Sequence, residues 1–487
     1  MRRRQMLAIG MLLSTVLVPA AGRADESEIK DVYFYSAELR KTVHVSVILP
    51  PGYDAAKGPY NTLYFLHGSA NESQNDFGPR VLEGIPDDLA AYDIVGIVPD
   101  SGSGWTDAKE PKAREVRWEA DWPQENEPIL GINRGSATVT EPGSTVGQQS
   151  YEHHLLQELM PLMEASFNLR QDRGGRGVMG HSGGNYGSFI FGMRHPDVFA
   201  FVGGSSGPIS WRDESWYAVG AALDVSWGGR DPMSDEIFMR ARDPKELAEN
   251  LLGSGVTLMH SSGCVDPVPA DFDPTCGLEG LARPIHEDFY AHVSTLGLDD
   301  YAYFRLDGPD QRTHAAAAVA IPIYEQEYIP AAAAIFADPP DHPDAWRYKT
   351  IDARFELWGW RFAVERPNTE FLTLLDVNPS RLVARGTGWL EVETPQAYDP
   401  GVLYKIRTTG PDEATTVLGA RADEAGRLRF TVELGSPRLV DQQSALESAG
   451  LFSFEDYVVT IEPDDEVANS EARVCAPVWI YPVAPCR

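Results

Sequence analysis

The chain has 487 residues, of which 43% are hydrophobic and 23% charged. That composition excludes a disordered or fibrous protein, and the length exceeds what one core usually serves, so two domains are expected. The formal net charge of −31 repels phosphate backbones, which excludes nucleic acid as a natural partner and fits a soluble acidic surface.

The first residues read as an export signal. Arg2, Arg3 and Arg4 form a basic start, an apolar stretch runs over residues 6–18, and Gly22-Arg23-Ala24 offers a cleavage site before Asp25. The apolar run is short for a bilayer span and is interrupted by Gly10 and Ser14. Arg3-Arg4 also suits twin-arginine export, so the route stays open between the two pathways. No second segment is long enough to cross a bilayer, and residues 25–487 are expected to be exported and soluble. An exported chain with four cysteines is expected to form disulfides. Sequence proximity favours Cys264–Cys276 and Cys475–Cys486 among the three possible connectivities. Neither Cys-x-x-Cys nor His-Glu-x-x-His occurs, so no zinc site is expected.

From residue 25 to 335 strand-like and helix-like runs alternate, as in an α/β domain. Strands are predicted at 42–49 (TVHVSVIL), 62–66 (TLYFL), 93–98 (DIVGIV), around Val178-Met179, at 199–202, 256–259 and 301–306. Helices are predicted at 151–167, 185–194 and 281–296 from apolar spacing of three and four. Residues 105–149 carry Trp105, Trp118 and Trp122 among Gly, Pro and charge, and read as a lid, a pocket wall or a plain surface insertion. A Pro- and Asp-rich stretch over 336–347 reads as a linker. Beyond it, at 348–487, short strands at 371–375, 389–392, 402–406, 428–432 and 457–461 suggest a β-sandwich of immunoglobulin-like type. Trp358, Trp360 and Trp389 at strand spacing are expected in its core, with a substrate- or polymer-binding face as the other reading.

Two segments match Gly-x-Ser-x-Gly: Gly180-His181-Ser182-Gly183-Gly184 and Gly203-Gly204-Ser205-Ser206-Gly207. A nucleophile elbow needs a strand before the serine and a helix directly after it. Ser182 has both, whereas Ser205 runs into Pro208 and is read as a loop serine. In such a fold one oxyanion donor is the N–H after the nucleophile, here Gly183. The other follows the early strand ending at His67-Gly68, which points to Ser69. The base follows the nucleophile in chain order. Among the later histidines, His195, His286 and His292 lie on predicted helices, His260 in a strand and His342 in the linker. His314 lies in a loop after the 301–306 strand, where the base belongs. The orienting acid has two candidates, Asp266 after the 256–259 strand and Glu279 further on.

Phe65-Leu66-His67-Gly68, the elbow, and His195-Pro196-Asp197-Val198-Phe199 together resemble the esterase D and mycolyltransferase branch of the α/β hydrolases, over about residues 30–335. The resemblance implies an α/β-hydrolase fold, ester chemistry and no metal or organic cofactor. It favours Glu279, because Gly277-Leu278-Glu279-Gly280 resembles the helix start that bears the catalytic glutamate of the mycolyltransferases. The implied reaction is attack by Ser182 on an ester carbonyl, with an acyl-enzyme released to water or an alcohol. The expected substrate is a lipid, a polyester or an acylated carbohydrate. Acyl transfer and a non-catalytic binding protein are the alternatives. The aspartate and arginine that hold the acceptor sugar in mycolyltransferases are matched here by His67 and Ala70, and Ala315 replaces the aromatic residue after the base, so trehalose is not the expected acceptor.

Overall fold

The computed structural model describes residues 26–38, 41–67, 77–99, 151–207, 209–210, 236–264, 278–306 and 314–464. The expected export signal, the 105–149 segment, Ser69, Asp266, Cys276, Cys475 and Cys486 lie outside them.

Among the described residues, eight strands form one mixed sheet in the order β1-β2-β4-β3-β5-β6-β7-β8. They are β1 (Glu28–Ser36), β2 (Lys41–Leu49), β3 (Asn61–Leu66), β4 (Ile94–Pro99), β5 (Arg176–His181), β6 (Phe201–Ser205), β7 (Thr257–Ser262) and β8 (Tyr301–Arg305). β1, β2 and β4 pair antiparallel, and every pairing from β4 through β3 to β8 is parallel. The central strands β3, β4, β5 and β6 are buried almost throughout, as strands covered on both faces must be. One face packs against helices including residues 151–167, α1 (Gly183–Arg194) and α2 (Leu278–Leu296). The other packs against residues 81–89 and 320–336, giving three layers.

From β3 the chain moves to β4 on one side, whereas from β5 it moves to β6 on the other. A parallel sheet opens a crevice at such a switch point, beyond the strands' carboxyl ends. His67 follows β3 there and Ser182 follows β5.

The helix over 151–167 is not uniform: residues His154–Leu159 form a π turn just before Pro161. Residues Tyr324–Tyr328 do the same just before Pro330. A proline has no N–H to continue the ladder, and one inserted residue absorbs the slip.

Among the described residues after 337, all sheet is antiparallel. One sheet has four strands, β10 (Arg354–Leu357), β11 (Trp360–Glu365), β14 (Trp389–Glu393) and β17 (Arg429–Glu433) in that order. The other has six, in the order β16 (Thr415–Arg421), β15 (Leu403–Thr409), β18 (Asp456–Pro463), β13 (Arg381–Arg385), β12 (Leu372–Asn378) and β9 (Trp346–Thr350). Residues of both sheets share one apolar core. Trp360 and Trp358 are buried in it, but Trp389 is 48% exposed, which corrects its expected core position. The cause is strand parity: Leu390 and Val392 point inward, so Trp389 faces out.

This β unit grips the end of the helix that starts at the elbow. Arg194, the last residue of α1, pairs with Glu152 at 2.9 Å and with Asp352 at 3.0 Å, and its carbonyl accepts from the Tyr348 hydroxyl at 2.8 Å. Burial pushes the Glu152 carboxyl up, but Arg194 and His195 more than offset it and hold it well below the usual carboxylate range.

Candidate active site

The turn at Ser182 is sharp. Its φ and ψ are 57° and −120°, outside the regions an ordinary residue adopts, and α1 begins at the next residue. The flanking glycines are sterically required. A Cβ on Gly180 would lie 2.1 Å from the Gly184 carbonyl oxygen, and one on Gly184 would lie 2.1 Å from that of Leu66. Neither neighbour is a flexible side chain. Gly184→Ala is therefore expected to destabilise the fold by about 3 kcal/mol or more, read as a fall in the urea midpoint. Gly419→Ala, whose Cβ meets nothing nearer than 3.5 Å, serves as the near-neutral control.

His314 Nε2 lies 2.8 Å from Ser182 Oγ. Its Nδ1 lies 2.6 Å from Glu279 Oε1. Glu279 sits in the first turn of α2, fully buried, and its Oε2 accepts from the Gly263 N–H at 2.8 Å. A carboxylate can only accept, so His314 carries its proton on Nδ1 and turns the free lone pair of Nε2 to the serine hydroxyl. Ser182, Glu279 and His314, expected from three separate stretches of sequence, thus meet in one chain of hydrogen bonds. Gly183 heads α1, so its N–H belongs to the first four of the helix, which have no acceptor within it. With the helix dipole, this is a site for developing negative charge.

Two residues at the site carried no role in the sequence reading. The Ser206 hydroxyl donates to Glu279 Oε1 and lies 3.1 Å from His314 Nδ1, so the acid is held from a second direction. Its main chain matters as well: the Ser206 carbonyl accepts from the Ser182 N–H at 2.6 Å. His181 lies beneath the base, with ring centroids 4.9 Å apart and its Nε2 3.2 Å from the His314 carbonyl oxygen. Burial pushes His181 down to about 3, and the neighbouring His314 acts in the same direction. The adjacency of His181 and Ser206 to the two Gly-x-Ser-x-Gly serines was a usable signal. Ser205, expected in a loop, is the last residue of β6 and donates to the Val319 carbonyl at 2.5 Å, a structural bond. Cys264 is buried just beyond β7, directly after the Gly263 N–H that holds the acid.

Among the described residues, no group of three or more His, Cys, Asp or Glu is placed to hold a metal ion. Also among them, no helix is long and apolar enough to cross a membrane.

Residues 36–247 match the family described as "Putative esterase". This segment is similar to the esterases. Esterase Rv1288 of Mycobacterium tuberculosis strain H37Rv is 25% identical over 264 residues, which are 52% of this chain and 49% of that protein. The chain therefore aligns with about half the length of the curated relatives it matches. Among solved structures, an S-formylglutathione hydrolase from Agrobacterium tumefaciens is 16% identical, covering 64% of this chain and 97% of that one, with a TM-score of 0.44. MPT51 (FbpC1) of Mycobacterium tuberculosis is 18% identical, covering 64% and 97%, with a TM-score of 0.43.

Proposed function

We propose that this protein is an esterase, an exported serine hydrolase that cleaves carboxylic esters through an acyl-enzyme on Ser182. The observation that carries the reading is His314, bridging Ser182 Oγ at 2.8 Å and Glu279 at 2.6 Å on a sharply turned elbow. His314 takes the serine proton as Oγ attacks the ester carbonyl, and Glu279 stabilises the imidazolium that results. The Gly183 N–H, joined by that of Ser69, receives the oxyanion. The imidazolium then protonates the leaving alcohol, and water attacks the acyl-enzyme by the same route in reverse. Export is supported by the basic and apolar start of the chain, and a Cys264–Cys276 disulfide would brace the loop carrying Gly263. An immunoglobulin-like relationship of the β unit, and polymer or cell-surface contact through it, belong to the same proposal. The outward Trp389 is a candidate contact, being 48% exposed.

Two measurements test the reading together. A fluorophosphonate should label the mature protein once, at Ser182, by peptide mass mapping. A p-nitrophenyl ester series of increasing acyl length should show turnover that disappears on labelling. Label on another serine would overturn the nucleophile assignment. Turnover that appears only with an added alcohol would replace hydrolysis by acyl transfer.

A further inference from the structure

Gly207 closes the turn beneath the nucleophile. Its φ is +142°, and a Cβ there would lie 2.5 Å from the Ser182 carbonyl oxygen. The Gly207 carbonyl is bound by His286 Nε2 at 3.0 Å. His286 Nδ1 lies 2.8 Å from His260 Nδ1, and His260 Nε2 is hydrogen-bonded to the Tyr301 hydroxyl. Both imidazoles are fully buried, His286 on α2 and His260 on β7. The ring of His260 also stacks on Tyr303 at 4.3 Å and 6°.

The direction of this chain follows from chemistry alone. A carbonyl oxygen only accepts, so His286 must carry its hydrogen on Nε2. A neutral imidazole has one N–H, which leaves His286 Nδ1 as an acceptor. His260 must then donate from Nδ1, so its Nε2 accepts from the Tyr301 hydroxyl. Burial enforces neutrality by pushing both rings well below the usual histidine range. The two histidines therefore hold opposite tautomers, and every donor meets an acceptor.

We propose that His286 and His260 are positioning residues for the nucleophile, forming a one-way hydrogen-bond chain from Tyr301 to the Gly207 carbonyl that fixes the peptide under Ser182. The proposal rests on reading Ser182 as the nucleophile. α2 serves two ends at once: Glu279 and His286 are seven residues apart, two turns, so one helix face carries both the acid and this anchor. The anchored turn also presents Ser206, whose hydroxyl holds the acid and whose carbonyl holds the Ser182 N–H. A shift of the 206–207 peptide would thus move nucleophile and acid together, and small displacements of reacting groups cost rate steeply.

The test begins with histidine nitrogen NMR on the unmodified protein. His260 should appear as the Nδ1–H tautomer and His286 as Nε2–H; any other pair overturns the chain. Kinetics then separate positioning from mere packing. His286→Leu should lower kcat per fluorophosphonate-counted site about 100-fold with KM within about twofold. His286→Gln, whose amide N–H can replace Nε2–H, should recover to within about fivefold of the parent. A leucine variant with unchanged turnover per site, however few its sites or low its melting temperature, would reduce the pair to packing. Failure of fluorophosphonate to label Ser182 in the parent would sink the functional reading instead, leaving the tautomer result to stand or fall by itself.

Discussion

Ser182→Ala is expected to lose about six orders of magnitude in kcat and Glu279→Gln about four, with the double variant no worse than Ser182→Ala alone. On the proposed mechanism the serine loss follows from removing the attacking atom, which leaves only binding and the oxyanion donors. The glutamine loss follows from the contacts of the carboxylate. Glu279 Oε1 accepts from His314 and Ser206, and Oε2 accepts from the Gly263 N–H. All three partners donate, and glutamine offers only one accepting atom. With its carbonyl toward His314, its amide hydrogens face the Gly263 N–H. With its carbonyl toward Gly263, its amide hydrogens drive His314 to the Nε2–H tautomer, which cannot take the serine proton. In either pose the negative charge that stabilises the imidazolium is gone. Steady-state ester hydrolysis, with protein purified free of parent enzyme, checks the ladder. Glu279→Gln keeping more than a tenth of the activity while Asp266→Asn loses about 10⁴-fold would reassign the acid. Additive losses in the double variant would mean that the groups do not act as one unit.

The parts of this site that could be read from sequence are those whose chemistry demands a local pattern. The elbow is legible because Gly180 and Gly184 lie too close to backbone for any side chain, so two glycines must flank the serine at fixed spacing. His314 is legible from chain order and from its place after a strand. The sequence left Glu279 and Asp266 open, and only a family resemblance separated them, because any acid on a loop at that level could reach the base. Ser206, His181, His260 and His286 were not legible as a set. Their roles depend on how β6, β7 and α2 lie side by side, and no local spacing encodes that. In the β unit, the expected strands 371–375, 389–392, 402–406, 428–432 and 457–461 recur, with no end displaced by more than three residues. The β10–β11 hairpin was missed for a definite reason. Its two-residue turn is Trp358-Gly359, with φ of +52° and +77°, where Asn-Gly or Asp-Gly is the usual signal. A tryptophan in that conformation reads as core, and it is buried here as well as turning. β16 was missed because it is exposed along most of its length, Val417 included, so apolar and polar residues do not alternate along it.

Below about pH 6 the protein is expected to lose stability at up to roughly 4 kcal/mol per pH unit, because three histidines are buried neutral. His181 and His286 are pushed down to about 3 by burial first, and His260 is pushed well below the usual range, also by burial first. Their charged neighbours do not reverse this. His314 and Arg305 add to the depression of His181 and His260 respectively. Around His286, Arg283 lowers while the Gly207 carbonyl and Glu287 raise, and burial outweighs both. Each folded-state value lies below the unfolded one of about 6.5, so as pH falls through that value the unfolded chain binds the extra protons first. Stability contributed by neutral burial is therefore full above about pH 6.5 and declines from there toward about pH 3. Two pH units would remove about 8 kcal/mol, comparable to the whole stability of an ordinary domain. Carboxylates modify the edges. Glu152 and Glu246, held low by arginine, lysine and histidine partners despite burial, add to the loss only below about pH 4.5. Glu164 and Asp197, pushed up by burial, act the other way and are relieved as they protonate. Urea midpoints at pH 7.5, 6.0, 5.5 and 5.0 measure the slope, which should approach three protons taken up on unfolding, and His260→Leu should reduce it by about one. A slope below one proton would mean that these histidines are already charged, or reach water, in the folded protein, and the tautomer chain to Gly207 would fall with it.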